Sequence, residues 1–292
     1  MTPAQAPASF GVPVLFVVLW SSGFIGAKLG LPYAEPLTFL SLRFACVLVI
    51  MLPFALMART SWPATANDTL HIAIAGVLIH GGYLGGVFSA IHHGMSAGVA
   101  ALIVGMQPLL TASIAGRMLG ERVTSLQWTG LALGLAGVTL VVWQKMSLQG
   151  LTAGSLLLAF IALFSITFGT LYQKRHCPSF DARSGSVIQF AAALALLLPL
   201  ALVTESMQIE WTGEFLFALG WLVLVLSVGA ISLLFRLIAR GAATRVSSLF
   251  YLTPAVTALM AYLIFDEKLS SLALVGMAAA IAGVAMINRN RA

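Results

Sequence analysis

Two ionisable side chains lie inside long apolar stretches of this sequence and are the residues best suited to chemistry. Arg43 could bind the carboxylate of a solute or gate a path, and His80 could carry a proton or hydrogen-bond a solute. Each has a structural alternative. Arg43 could clamp backbone carbonyls at the ends of neighbouring helices, which is the interpretation we favour because a buried charge is usually satisfied structurally. His80 could be a simple hydrogen-bond partner between helices.

Aromatic and weakly polar residues in similar stretches could line a pocket for a small amphipathic ligand, since such pockets are apolar with few polar groups. The residues that we predict to bind substrate are Trp20, Ser21, His80, Tyr83, Gln107, Ser165, Phe168 and Tyr251. Packing in the core or against lipid is the alternative for most of the aromatic ones. With so few fixed charges, a pocket of this kind should prefer neutral solutes, including zwitterions.

Two prolines lie near the middle of apolar segments. Pro108 and Pro254 each lack a backbone donor and crowd the carbonyl four residues earlier, so each should kink its helix. The kinks could bend during transport or could only shape the packing. We group Pro108 and Pro254 with Arg43 as candidate gating or structural residues.

The sequence lacks the residue patterns that several kinds of chemistry require. All nine acidic side chains fall in predicted loops or at helix ends, so none could bind a coupling ion at mid-membrane. We find no nucleophile–base pair or acidic dyad for an enzyme, no metal-ligand cluster, and no Gly-rich loop followed by Lys-Ser/Thr for ATP. The two cysteines, Cys46 and Cys177, fall at different levels and form no pair. We therefore expect no enzyme activity, no cofactor and no bound metal.

The positions of these residues depend on the segments that carry them, and composition indicates that those segments cross a membrane. Hydrophobic residues make up 60% of the 292 residues and charged residues 8%, against about 25% charged residues in soluble domains. Ten apolar segments are predicted, at about 11–31, 36–57, 69–92, 96–117, 125–143, 152–173, 183–204, 214–238, 244–265 and 270–288. Segments of roughly 20 residues are long enough to span a bilayer as helices.

The basic residues are unevenly distributed between the two sides of such a membrane. Eleven Lys and Arg residues fall on the side of the N-terminus and three on the other. This asymmetry predicts that both termini are cytoplasmic. The formal charge of +6 is then a signal of topology, and we do not expect a nucleic-acid partner.

The second half of the chain repeats the first at an offset of 146 residues. Pro108 aligns with Pro254, Glu121 with Glu267, and Arg43 in the first half with Gln189 in the second. Thirteen of the 44 gap-free pairs between residues 97–140 and 243–286 are identical. Internal repeats of this length indicate that two copies of one structural unit form the fold.

Five predicted spans in each half require the second half to enter the membrane from the opposite side. We predict an all-α integral membrane protein of ten transmembrane helices, built from two inverted five-helix repeats, residues 1–146 and 147–292, that form one structural unit. Inverted repeats are common in secondary transporters, whose solute sites lie where the repeats meet.

The order of these motifs resembles the drug/metabolite transporter superfamily, in particular its EamA-type ten-helix members. The resemblance rests on residues 20–24, on Arg43-Phe44, and on the run from Pro108 to Arg122 with its second copy from Pro254 to Lys268. Among EamA-type proteins, the chain is most similar to the YddG-type exporters of aromatic and neutral amino acids. The resemblance implies a basket-like bundle with a central cavity lined by helices 1, 3, 4, 6, 8 and 9, with helices 5 and 10 packed together away from it.

These observations predict a carrier in the inner (plasma) membrane that exports small neutral amino acids, aromatic and other hydrophobic ones, by alternating access. We expect an uncoupled facilitator whose partners are its solute and the lipid bilayer. The alternative is an exporter of other metabolites or drugs, with proton coupling through His80. A channel fits less well, because kinked repeats suit a carrier better than a pore. The oligomeric state stays open, and a monomer is compatible with this plan.

Overall fold

The computed structural model describes residues 11–95, 97–143, 151–177, 180–265 and 270–289, and over these residues the chain is almost entirely helical. We number the ten helical units in chain order. They are α1 (Gly11–Gly30), α2 (Pro36–Met57), α3 (Ala66–His92), α4 (Ala97–Val104 and Gln107–Leu119), α5 (Ser125–Val142), α6 (Ala153–His176), α7 (Ala182–Thr204), α8 (Gly213–Arg240), α9 (Ala243–Ser248, Leu249–Leu252 and Thr253–Phe265) and α10 (Ser271–Asn288).

The helices have the length and composition of membrane spans, which confirms the predicted all-α membrane class. Nine of the described helical units are long and apolar enough to cross a bilayer, and α1 adds a shorter apolar stretch, Gly11–Ala27. Large apolar side chains such as Val49, Val203 and Leu263 lie exposed on the outer faces of the helices. Such faces are the ones that a membrane helix turns to lipid.

The helix contacts recur between the two halves. Helix α5 packs on α10, and α2 packs on α7. The pairs α3–α6 and α4–α6 have equivalents in α8–α1 and α9–α1. The opposite threading of the two halves, and the side on which the termini lie, stay predictions.

Helices α5 and α10 approach so closely that their backbones touch. A Cβ atom added at Gly137 would lie 2.5 Å from the backbone nitrogen of Ala280, and one at Gly283 would lie 2.6 Å from the carbonyl oxygen of Gly130. Small residues permit this contact because no side chain separates the backbones. The extensive α5–α10 interface therefore depends on glycine at these positions.

Both predicted proline kinks are present as breaks in the helix. Helix α4 stops at Val104 and resumes at Gln107, the residue before Pro108. Helix α9 tightens into a 3₁₀ turn over Leu249–Leu252, just before Pro254. Because a proline cannot donate to the carbonyl four residues back, the helix is interrupted there.

A second pair of irregular segments was not predicted. Helix α3 widens into a π-helix over Val77–Gly82, and α8 does so over Leu222–Ala230. At the offset of 146, residues 77–82 correspond to residues 223–228, so the two π segments occupy equivalent positions. A π segment offsets the usual hydrogen-bond pattern of a helix, and such segments are frequent at functional sites.

The ends of the bundle are held by carboxylates that cap helices. The carboxylate of Glu205 accepts hydrogen bonds from the backbone nitrogens of Leu37 (2.8 Å) and Thr38 (2.6 Å) at the start of α2. At the opposite end of the bundle, the Glu121 carboxylate accepts from the backbone nitrogen of Ala243 (2.7 Å) at the start of α9. These acids therefore hold loops and helix ends together.

A methyl group added to a glycine should destabilise the protein only where that glycine lies in a close helix contact. We expect Gly137→Ala to lower the free energy of unfolding by about 1–3 kcal/mol, because its Cβ would clash with α10. The matched control is Gly220→Ala, where an added Cβ meets nothing within 4 Å. Thermal unfolding of the purified variants in detergent measures the difference. Equal melting temperatures for the two variants would contradict the close α5–α10 contact.

Candidate functional site

A narrow cleft of about 10 Å³, which is space for about one water molecule, lies where α4, α6, α8 and α9 meet. Its lining residues are Gln107, Thr170, Lys174, Ile238, Ala243, Val246, Ser247 and Phe250. Lys174 donates hydrogen bonds to the carbonyl oxygens of Ile238 (3.2 Å) and Gly241 at the end of α8. This arrangement places a cation at a helix C-terminus, which the helix dipole favours.

Two buried residues, Gln107 in the cleft and Thr253 in α9, have polar groups that no described residue satisfies. Gln107 is completely buried, and neither its Oε1 nor its Nε2 atom has a hydrogen-bond partner. Thr253, its equivalent in α9, likewise has a buried hydroxyl without a partner. Each of the two directly precedes the proline that breaks its helix. An unpartnered buried polar group costs about 1–3 kcal/mol, so the two breaks present groups that a solute or water could satisfy.

Three aromatic rings pack together beside the cleft, and one of them, Phe250, lines it. The cleft residue Phe250 stands edge-on to Trp20 of α1, with ring centroids 5.3 Å apart and planes at 84°. Phe16 contacts both rings, at 5.3 Å from Trp20 and 5.6 Å from Phe250. We call Phe16, Trp20 and Phe250 the aromatic trio. Edge-to-face contacts of this kind are favourable. Here they join α1, which carries Trp20, to α9, which carries Phe250.

Beyond the aromatic trio lies a polar cluster. Trp20 of α1 lies beside Tyr83 on α3, and Tyr83 lies within electrostatic reach of Arg43 on α2. His80, also on α3, lies within electrostatic reach of Arg43 as well. We call Arg43, His80 and Tyr83 the polar cluster. The aromatic trio therefore adjoins the Gln107 cleft at Phe250 and the polar cluster at Trp20.

Arg43 donates a hydrogen bond from Nε to the hydroxyl of Ser227, at 3.0 Å, in the π segment of α8. Our expectation that Arg43 clamps backbone carbonyls at helix ends is therefore wrong. The widened turn of α8 brings a serine hydroxyl into reach instead, and that hydroxyl itself donates to the carbonyl of Leu222 (3.1 Å). Arg43 is 5% exposed, so its charge is held in the interior.

His80 is held by neutral neighbours. Its Nε2 atom lies 3.1 Å from Oε1 of Gln189 on α7, and Nε2 of Gln189 donates to Oε1 of Gln173 on α6 (2.9 Å). The imidazole also stacks on Phe190, with ring centroids 4.4 Å apart. These two hydrogen bonds join α3, α7 and α6. This is the structural alternative that we gave for His80.

The hydrogen bonds of Arg43 and His80 lie at equivalent positions in the two halves of the chain. Arg43 of α2 corresponds to Gln189 of α7 at the offset of 146. Arg43 reaches the π segment of α8, and Gln189 reaches His80 in the π segment of α3. The same tie is thus made twice, once by a cation and once by a neutral amide.

Four predicted site residues lie elsewhere. Ser21 donates to the carbonyl of Thr253 (3.3 Å) between α1 and α9, and Ser165 packs on Gly82 between α6 and α3. Phe168 is 41% exposed, on the outer face of α6. Tyr251 is buried against Gly134 of α5, because that glycine leaves room for its ring. The structure thus groups Trp20, Tyr83, His80 and Arg43, and it places Gln107 in the neighbouring cleft with Phe250.

A second cleft, of about 330 Å³, lies at the ends of the helices, between the start of α3 and the end of α6. Asp68, His176, Cys177 and Asp181 line it. Burial raises the pKa of the Cys177 thiol to about 11, so this thiol is neutral and a weak ligand or nucleophile at physiological pH. Among the described residues, no group of three His, Cys, Asp or Glu side chains is placed to hold a metal.

The helical bundle with a broken-helix interior is the architecture of a membrane transporter, and comparison with known families defines which one. The model of the EamA-like transporter family matches residues 10–143 and again residues 153–289. This chain belongs to the EamA-like transporter family. The resemblance to this family within the drug/metabolite transporter superfamily is thereby confirmed.

Individual relatives cover nearly the whole chain. The chain is 26% identical over 278 residues to the Escherichia coli K12 protein named "Uncharacterized inner membrane transporter YedA", covering 95% of this chain and 90% of that one. It is 27% identical over 282 residues to a Salmonella typhimurium protein named "Probable amino-acid metabolite efflux pump", with coverage of 93% and 91%. A solved crystal structure with 17% identity superposes with a TM-score of 0.79 over 97% of this chain and 98% of that one, which supports the fold.

Part of the site could be predicted from the sequence, and part could not. Ser227, Gln173 and the two π segments were not predicted, since apolar periodicity does not distinguish a π turn from an α turn. Gln189 carried a signal, because it aligns with Arg43 in the repeat. Phe250 was one of many aromatic residues on the predicted lining helices, and only its contact with Trp20 distinguishes it.

Two buried glutamines should respond oppositely to the same substitution. Gln189→Leu should lower the free energy of unfolding by about 1–3 kcal/mol, because His80 and Gln173 lose their partner. Gln107→Leu should leave it unchanged or raise it, because no hydrogen bond is lost. Thermal unfolding in detergent measures both. An equal loss in the two variants would mean that Gln107 is partnered in the folded protein.

Proposed function

We propose that this transporter exports small neutral amino acids, aromatic and other hydrophobic ones, by alternating access. The observation that carries the proposal is the unpartnered pair Gln107 and Thr253 at the two proline breaks, beside the aromatic trio. Amide and hydroxyl groups offer hydrogen bonds to polar solute atoms, and the rings offer an apolar wall. The name of the Salmonella relative, an amino-acid metabolite efflux pump, supports both the solute class and the direction.

The aromatic trio supplies the barrier in this proposal. Trp20 and Phe250 belong to α1 and α9, which are equivalents of α6 and α4 in the other half. Separation of these rings would join the polar cluster to the Gln107 cleft and give a continuous path. The helix breaks before Pro108 and Pro254 lie beside this point, so bending there would move Gln107 and Phe250.

We infer that transport is uncoupled. The described acidic residues, Glu35, Asp68, Glu121, Asp181, Glu205, Glu210 and Glu214, lie in loops or in the first turn of a helix. Asp266 and Glu267 lie outside the described residues. His80 is hydrogen-bonded to the neutral Gln189 and stacks on Phe190, so its interactions already have a structural role.

The proposal includes the two inverted five-helix repeats, residues 1–146 and 147–292, with both termini in the cytoplasm. The twofold match of the family model and the equivalent helix contacts support the two units. The positive residues on the predicted cytoplasmic side support the orientation. The two units would meet at the Gln107 cleft, and the path would then pass between them.

Counterflow in liposomes tests the solute class. Purified protein should exchange labelled phenylalanine, methionine or threonine against unlabelled amino acid with saturable kinetics. Exchange of unrelated metabolites or drugs without amino acids would favour the alternative.

Two tryptophan substitutions test the proposal that the aromatic trio blocks the transport path. We expect Trp20→Ala to abolish exchange while the protein still inserts in the membrane, because the ring contacts Phe250 and Tyr83. The control Trp128→Ala should leave exchange unchanged, since Trp128 is 40% exposed on α5. Initial rates of counterflow at matched protein levels give the comparison. Normal exchange by Trp20→Ala would remove Trp20 from the path.

An imposed proton gradient tests coupling. Because no described acid lies at mid-membrane and His80 stays neutral in this proposal, the initial rate of amino-acid transport should not change when the liposome exterior is acidified. Accumulation of amino acid driven by the proton gradient would show coupling, and its loss in His80→Gln would assign that coupling to His80.

A further inference from the structure

Arg43 carries a charge that the described protein leaves without a counter-charge. A guanidinium has five N–H donors, and the hydrogen bond of Nε to Ser227 is the one that Arg43 makes to the described residues. The ion pair found within the described residues joins Asp181 and Arg183 near the start of α7. Arg43 lies seven residues into α2, about 11 Å along the helix axis. A cation at that depth without an anion is costly.

The repeat supplies an internal control for the role of this charge. Gln189 occupies the equivalent position and ties α7 to the π segment of α3 through a neutral amide. A glutamine is therefore sufficient to hold a helix to the opposite π segment. The positive charge at position 43 is not needed for the tie, so the structural role leaves it unexplained.

The neighbours of Arg43 suit the carboxylate end of an amphipathic solute. Tyr83 lies within electrostatic reach of the guanidinium, and Trp20 lies beside Tyr83. The aromatic trio begins at Trp20, so an apolar wall stands beside the cation. The charge-assisted hydrogen bonds of an arginine to a carboxylate are among the strongest in proteins, because the two planar groups match.

We propose that Arg43 binds the carboxylate of the transported solute. The site then selects for a carboxylate and an apolar body, and it does not read the ammonium group by charge, because no described acid lies beside it. Monocarboxylates without an amino group should therefore bind as amino acids do, and amides and amines should not. This inference rests on the proposed function, and it names the group by which the solute is recognised. In the structure Arg43 is 5% exposed, so the carboxylate reaches it once Trp20 and Phe250 separate.

The test uses three probes that share a phenyl ring: L-phenylalanine, 3-phenylpropanoate and L-phenylalaninamide. Equilibrium binding to the purified full-length protein should be similar for the first two and at least tenfold weaker for the amide. Arg43→Gln copies the chemistry of position 189 and should keep the tie to Ser227, yet weaken binding of both carboxylates about tenfold or more. Arg43→Lys should recover part of the loss.

Two controls separate charge from fold. Arg236→Gln removes an exposed cation of α8 and should change nothing. Ser227→Ala removes the hydrogen bond to Arg43 but keeps the charge, so the preference for carboxylates should persist. Should Arg43→Gln fail to fold, the comparison of the three probes on the unaltered protein still decides the matter.

The outcomes separate this inference from the proposed function. Equal binding of L-phenylalanine and its amide, or full binding by Arg43→Gln, overturns the carboxylate site and leaves amino-acid export standing. Binding of 3-phenylpropanoate without phenylalanine keeps the carboxylate site and replaces the proposed solute class. Binding of none of the three by the unaltered protein overturns both.

Discussion

Inside a bilayer, every polar group must find its partner within the protein or its cargo, because hydrocarbon offers none. Most of this bundle obeys that constraint with regular helices, capping carboxylates such as Glu205 and Glu121, and side-chain ties such as Gln189 to His80. Among the described residues, the exceptions are buried polar atoms without partners on Ser41, Gln107, Thr111, Thr244, Tyr251 and Thr253, together with the charge of Arg43 without a counter-charge. Of these, Gln107 and Thr253 at the proline breaks and Arg43 are the groups that we propose a solute satisfies.

The irregular backbone explains why these groups lie together. Two proline breaks and two π segments fall at equivalent positions of α4 and α9 and of α3 and α8. The breaks place Gln107 and Thr253 at the helix ends, and the π segments place His80 and Ser227 within reach of Gln189 and Arg43. The tightly packed α5–α10 pair carries none of these features. Rigid packing and adjustable interior are thus separated between different helices of one unit.

The spans and the proline breaks could be predicted, because each follows from a local rule: apolar length or a missing backbone donor. The α5–α10 contact was implied by the family resemblance. The partners of Arg43 and His80 could not be predicted, since they depend on π turns and on which helices adjoin. The same limit explains the site residues. Trp20, Tyr83 and Gln107 lie on interior faces, whereas Phe168 lies on the exposed face of α6 and Tyr251 against Gly134. The sequence therefore predicted which segments form membrane helices, but it did not predict how each helix is rotated about its axis.

The central claim is that the unsatisfied polar groups of the interior are reserved for the transported solute. The most direct measurement is an experimental structure of the protein in lipid nanodiscs at saturating L-phenylalanine. We expect density for the amino acid along the line from Arg43 past Trp20 and Phe250 to Gln107, with its polar atoms on Arg43 or Gln107. Density for the amino acid at another place, with Arg43 and Gln107 still without partners, would contradict the claim.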